Sequence, residues 1–169
     1  MNKRFPVSAQ EIIIGTLAIV YFVLTVALHP ISYGPIQVRM SDILSPLSYI
    51  LGLPGVAGLT LGTFLANFFS PYGFWDVVIG TACTFTYCII NYGLFKLFGY
   101  RRVLLPVVAL IDSIVVGIYI GIVLLGTIAK AGDPLKLAVL LTGETLIPMS
   151  IGALVLVPLV ARALGITER

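Results

Sequence analysis

Glu144 and Asp112 are carboxylates set inside apolar stretches of the chain. Each lies about eight or nine residues from the nearer end of its stretch, and at about 1.5 Å per helical residue both lie well inside a hydrocarbon layer. An ionised side chain at such depth costs about 2.5 to 3.5 kcal/mol on insertion scales unless it faces water, a counter-charge or a ligand. For Glu144 the options are a protonated, hydrogen-bonded carboxyl, an ion pair with Arg39, or a polar guest. For Asp112, Ser113 and Tyr119 are close enough in sequence to satisfy the group locally, so a structural role is expected and Glu144 is the sharper functional candidate. A second polar concentration is Ile31 to Asp42, "ISYGPIQVRMSD", which places Gln37, Arg39 and Asp42 between two apolar stretches. Arg39 and Asp42, at i and i+3, suit a local ion pair at the start of a helix. That pairing is compatible with a further role for Arg39 at a ligand.

Two stripes accompany these charges. Thr60, Thr63 and Asn67 fall at i, i+3 and i+7, and Asp76, Gly80, Thr84, Tyr87 and Asn91 share one arc at about 100° per residue. Such stripes fit either a central cavity or hydrogen-bonded helix packing. Small residues recur on other faces, at Gly58, Gly62 and Ala66 and at Ser113, Gly117 and Gly121, where they let helix backbones approach in lipid.

The elements that must position these groups are membrane helices. Of 169 residues, 59% are hydrophobic and 10% charged, and the mean hydropathy is +1.11. A soluble domain of this length would carry far more polar surface. The net charge of +3 does not indicate nucleic acid, because the basic residues are scattered at segment ends. The opening Met1-Asn2-Lys3-Arg4 followed by Ile12 to Leu28 reads as a retained first span, since the apolar part is long for a signal core and no small-x-small site follows. Cys83 and Cys88, five apart in an apolar block, read as free buried thiols.

The pattern predicts an all-α membrane protein, a single domain over 1–169 with helices near 12–28, 39–52, 55–69, 77–97, 103–125 and 137–160. The doubtful part is Met40 to Phe69, where Leu51-Gly52-Leu53-Pro54-Gly55 interrupts either one long helix or two short ones. Charge bias selects two. With six spans and a cytoplasmic amino terminus, Lys3, Arg4, Lys96, Arg101, Arg102, Arg162 and Arg169 lie inside, and only Arg39, Lys130 and Lys136 lie outside. Both termini are then cytoplasmic. The loops carrying Arg39 and Ser70 to Asp76 are then external, and Gly34, Pro35 and Gly73 suit them to turn and cover a pocket.

The strings "SYGPIQVRMSD" (Ser32 to Asp42), "GLTLGTFLANFFSPYGFWDVVIGT" (Gly58 to Thr81) and "GETLIPMSIG" (Gly143 to Gly152) resemble the queuosine-precursor transporter family, QueT. Members are small substrate-binding (S) components of energy-coupling-factor (ECF) importers. The resemblance implies a compact six-helix bundle in the cell membrane, a pocket in its outer half, and partners comprising a transmembrane coupling protein and two ATPases. Two positions depart from the family pattern. Where S components commonly dock through alanines four apart on the first helix, Ala18 is followed at i+4 by Phe22 and Gly15 by Ile19, and Asp112 stands where a neutral amide is expected.

A deazaguanine base, the substrate so implied, presents two adjacent N–H donors that a carboxylate accepts side by side, and a carbonyl that needs a donor. Glu144 suits the first. Gln37, Asn67 or Arg39 suits the second, and Tyr33, Tyr72, Phe74 and Trp75 offer rings for stacking. A precursor bearing an amine would want a further carboxylate, for which Asp76 is better placed than Asp112. No cofactor and no metal is expected. The chain shows no phosphate-binding loop, HExxH or GxSxG, so catalysis is not expected and ATP hydrolysis would fall to partner subunits.

Overall fold

Polar residues cluster in the interior of this protein while large apolar ones face outward. The computed structural model describes residues 6–33 and 39–168, apart from the side chains of 30 and 31. Asp42, Asp76, Asp112, Asn67 and Asn91 are buried, whereas Ile12, Val23, Phe64, Phe85 and Leu154 are exposed. In water that arrangement would be unfavourable; in a bilayer it is the expected one, since lipid solvates the apolar side chains and intramembrane polar groups turn to the bundle interior.

Helix α1 spans Val7–Ala27, and a single helical turn follows at His29–Ser32. It begins five residues before the predicted boundary because Pro6 starts the helix and the polar Ser8, Gln10 and Glu11 continue it beyond the apolar block. The second helix, α2, is a 3₁₀ stretch, Met40–Leu47, that runs into the α-turn Ser48–Leu51. At Gly52 the chain takes a positive φ of 67°, and α3 follows over Leu53–Asn67 with Pro54 in its first turn. The interruption therefore makes two short helices. The 3₁₀ form rises about 2.0 Å per residue against about 1.5 Å in an α-helix, so α2 reaches further across the bundle than its length suggests.

Helix α4 covers Phe74–Phe98, with positive-φ glycines at both ends, Gly73 and Gly99. Helix α5 runs Arg102–Ile128 and α6 runs Pro134–Ala163. Each contains a π segment, at Gly117–Ile128 and Gly152–Leu156 respectively. The side chain of Asp133 caps α6, accepting from the Lys136 N–H at 2.9 Å. Among the described residues no strand occurs. Among the described residues four helices, α1, α4, α5 and α6, are long and apolar enough to cross a membrane, and α3 is a shorter apolar helix.

The small-residue stripes set the packing. A Cβ on Gly58 would lie 2.9 Å from the Ile14 carbonyl and one on Gly62 2.9 Å from that of Ala18, so α1 and α3 touch backbone to backbone. Gly117 and Gly121 let α6 approach α5 in the same way, against Thr142 and Ala138. Gly152 receives the carbonyl of Ile43, which seats α2 on α6.

Candidate functional site

The 3₁₀ geometry of α2 creates the interior polar seam. Residues three apart eclipse one another in a 3₁₀ helix. Asp42, Ser45 and Ser48 consequently form one buried row along α2, opposite the Thr84, Tyr87 and Asn91 stripe of α4. Ser45 Oγ and the Tyr87 hydroxyl share a hydrogen bond of 3.0 Å, Tyr87 donates to Thr84 Oγ1 at 3.2 Å, and Asn91 Nδ2 donates to Ser48 Oγ at 3.2 Å. Helix α1 closes the seam: Tyr21 donates to Asp42 Oδ1 at 2.8 Å, and Thr25 Oγ1 meets Ser41 Oγ at 2.7 Å.

A cavity of about 20 Å³ lies within this seam, bounded by Tyr21, Arg39, Asp42, Gly80, Cys83, Thr84, Tyr87 and Thr145 with apolar cover from Val116, Ile120 and Leu141. That is room for a single water molecule. A larger hollow of about 550 Å³ opens sideways between α3 and α4, but Leu53, Leu61, Phe64, Phe85 and Ile89 dominate it and no charged residue lines it. Of these two, the inner cavity has the chemistry to hold a polar ligand.

Beside the cavity, Arg39 draws together the end of the turn after α1 and the start of α4. Its Nη2 approaches Asp76 Oδ2 at 3.4 Å, its Nε reaches the Ser32 carbonyl at 3.5 Å, and its guanidinium lies 5.1 Å from the centre of the Tyr33 ring. Both members of the ion pair are buried. The expected Arg39–Asp42 pair is thus replaced by one with Asp76. Arg39 precedes the helix with extended backbone, φ −86° and ψ 104°, so its side chain does not share the helical face of Asp42, which Tyr21 engages instead. Tyr33 donates to the Ala66 carbonyl at 2.7 Å. Burial pushes its phenol up to about 12, against the lowering effect of Arg39, so it stays a donor at neutral pH. Asn67 Nδ2 donates to the Asp76 carbonyl at 3.0 Å, while Asn67 Oδ1 and Asp76 Oδ1 are buried with no hydrogen-bond partner among the described residues.

The structure thus brings Arg39, Asp76, Asn67 and Tyr33 into one cluster at the edge of the cavity. Glu144 is half-buried and is the neighbour in sequence of the cavity-lining Thr145. Tyr72 is half-buried against the core. Phe74 and Trp75 are exposed, 71% and 51%, and stack edge to face on each other at 5.8 Å, away from the cavity lining. Gln37 and the Gly34-Pro35 turn lie outside the described residues. Tyr21 and Thr145 line the cavity without having been singled out; the only sequence signal was a Tyr–Thr pair at i, i+4 in the otherwise apolar middle of α1.

Asp112 forms a separate site deeper along the seam. Asn91 Nδ2 reaches both of its carboxyl oxygens, at 2.9 and 3.1 Å. The expected local partners bond elsewhere, Ser113 to the Ala109 carbonyl at 2.8 Å and Tyr119 to Thr86 at 3.1 Å. An interhelical partner wins because Ser113, in its helical rotamer, reaches back to its own backbone. Cys83 and Cys88 are free and buried. Among the described residues no three His, Cys, Asp or Glu side chains converge as a metal site.

A family model described as "QueT transporter" matches residues 12–162 of the chain. The chain belongs to the QueT transporter family. No curated protein and no solved structure matches it. Membership makes this bundle a multi-pass membrane transporter protein that handles a small-molecule substrate, and the match runs through every helix that contributes to the cavity, from α1 to α6.

Proposed function

We propose that this chain is the substrate-binding S component of an ECF importer in the cell membrane. Six helices cross the bilayer with both termini cytoplasmic, and a queuosine precursor, queuine or another 7-deazaguanine base, is captured from outside. A transmembrane coupling protein and two ATPases then drive its passage inward. The observation that carries the reading is the buried cluster of Arg39, Asp42, Asp76 and Asn67 beside an internal cavity, in a chain of the QueT family. Charges there are costly, and a flat polar guest gives them partners.

A deazaguanine needs a carboxylate for its two-donor edge, and a precursor with an amine needs another. Glu144 and Asp76 are the two we assign. Asn67, Gln37 or Arg39 donates to the ring carbonyl, and Tyr33, whose ring adjoins the Arg39 guanidinium, and Tyr72 supply stacking faces in preference to the exposed Phe74 and Trp75. Thermal unfolding of the detergent-purified protein with 7-deazaguanine, queuine and a panel of B vitamins tests this. Stabilisation is expected with the deazaguanines and is expected to weaken in Glu144→Gln and Asp76→Asn. Stabilisation by a vitamin alone would overturn the substrate assignment and leave the S-component reading standing. Uptake by cells expressing the chain with and without the coupling module tests the partnership, which fails if the chain alone concentrates substrate.

A further inference from the structure

Arg39 holds its partners poorly for a buried cation. A charge-assisted N–H···O bond is about 2.7 to 2.9 Å and an arginine typically meets a carboxylate through two parallel bonds. Here one long contact of 3.4 Å joins Nη2 to Asp76 Oδ2, and the second oxygen, Asp76 Oδ1, is buried with no hydrogen-bond partner among the described residues. Asn67 Oδ1 is likewise buried and unpartnered. The guanidinium lies 5.1 Å from the centre of the Tyr33 ring, close to a face on which a flat ligand could stack. Meanwhile the cavity that Arg39 lines holds about 20 Å³, whereas small-molecule sites run to about 300 Å³ or more. A bicyclic base cannot enter without moving a lining side chain, and Arg39 is the longest and most flexible of the polar ones.

A guanidinium and the edge of a guanine-type ring are the same fragment in chemical terms. Each offers two parallel N–H groups on a planar N–C–N unit. We propose that Arg39 is a built-in occupant of the substrate seat: in the empty protein its guanidinium rests on Asp76 and Tyr33, and the two-donor edge of a deazaguanine displaces it to bind there. This rests on the substrate class proposed above and assigns the edge to Asp76. The incoming ring makes the two parallel bonds to Oδ1 and Oδ2 that arginine makes only in part, and its carbonyl is left to Asn67 or Gln37 while Arg39 swings clear. Because binding requires the displaced form, the apparent affinity of the wild-type protein is lowered by the fraction of time that Arg39 is out of the seat.

The test compares wild type, Arg39→Ala and Arg39→Lys as full-length protein in detergent, with 7-deazaguanine titrated calorimetrically and methylguanidine as a side-chain mimic. A compact ammonium cannot match the planar two-donor edge, so the lysine variant keeps a positive charge near Asp76 but holds the seat less well, and it serves if the alanine variant does not fold. Both variants are expected to bind 7-deazaguanine about tenfold more tightly than wild type, the gain for an occupant that is displaced about a tenth of the time. Methylguanidine is expected to compete with 7-deazaguanine in Arg39→Ala. Weaker binding in the folded variants, or no competition by methylguanidine in a folded Arg39→Ala, overturns the displacement while the substrate class stands. If neither wild type nor variants bind 7-deazaguanine, the substrate class falls and the seat falls with it.

Discussion

Replacing Asn91 by leucine should destabilise the bundle by leaving the Asp112 carboxyl without its donor. Both residues are fully buried and two contacts, 2.9 and 3.1 Å, run from one amide to the two carboxyl oxygens. Interhelical hydrogen bonds in membrane proteins average about 0.6 kcal/mol and reach about 1.7. Two bonds to one carboxyl therefore contribute about 1 to 2 kcal/mol, and stranding that carboxyl adds about 1 kcal/mol or more of uncompensated desolvation. The expected loss in Asn91→Leu is about 2 to 3 kcal/mol, read from reversible unfolding in mixed micelles as the SDS fraction rises. Removing both partners is a different perturbation, because an apolar pair of similar shape leaves nothing polar buried. Asn91→Leu combined with Asp112→Leu should thus cost less than the sum of the single losses, with a coupling of about 1 to 2 kcal/mol. Asn91 also donates to Ser48 Oγ, and Ser48→Ala measures that bond separately. Additivity within about 0.5 kcal/mol would refute the reasoning, since independent sites add to that tolerance.

The α1–α3 contact gives a second prediction. Gly62→Leu is expected to lower stability by about 1 to 3 kcal/mol, because even a Cβ there meets Ala18 and Tyr21 at 2.9 Å, whereas Gly15→Leu, with nothing within 4 Å of its Cβ, should stay within about 0.5 kcal/mol. Equal midpoints for the two variants in the same SDS titration would count against backbone-to-backbone packing. At the cavity edge, a Cβ on Gly80 meets Asn67 Nδ2 and lies 2.9 Å from Asp76 Oδ1, so Gly80→Ala should shift this cluster and weaken 7-deazaguanine binding about tenfold, or about 1.4 kcal/mol, by calorimetry. Unchanged binding would place the substrate elsewhere.

The helices were legible because lipid writes a strong signal into sequence. Apolar blocks bounded by Gly, Pro and basic residues gave element positions, and the observed helices extend a few residues further where polar helix formers such as Ser8, Gln10 and Glu11 continue the backbone beyond the hydrocarbon. The small-residue stripes were legible for the same reason: few residue types let two backbones touch, and Gly58, Gly62, Gly117 and Gly121 all prove to sit at such contacts. The form of α2 was not. Nothing in "MSDILSPL" distinguishes a 3₁₀ helix from an α-helix by apolar periodicity, since eight residues contain too few turns to separate a period of 3.0 from 3.6.

That one ambiguity accounts for most of what sequence reading missed in the site. With α-helical rotation, Asp42, Ser45 and Ser48 drift apart by about 60° per step, and no row faces α4; with 3₁₀ rotation they align, and Thr84, Tyr87 and Asn91 become their partners. The long-range ion pair and the Asp112 contact were missed for a different reason. Spacing alone can propose only neighbours along one helix, which is why Arg39 was paired with Asp42 and Asp112 with Ser113. The structure instead joins Arg39 to Asp76 and Asp112 to Asn91, both from other helices. The stripe on α4, by contrast, was readable as a stripe because an α-helix of 25 residues repeats its face several times. The polar seam therefore needs both a regular helix to display its groups and an irregular one to meet them, and disrupting the 3₁₀ register of α2 should disturb cavity and Asp112 site together, since both hang from the same three side chains.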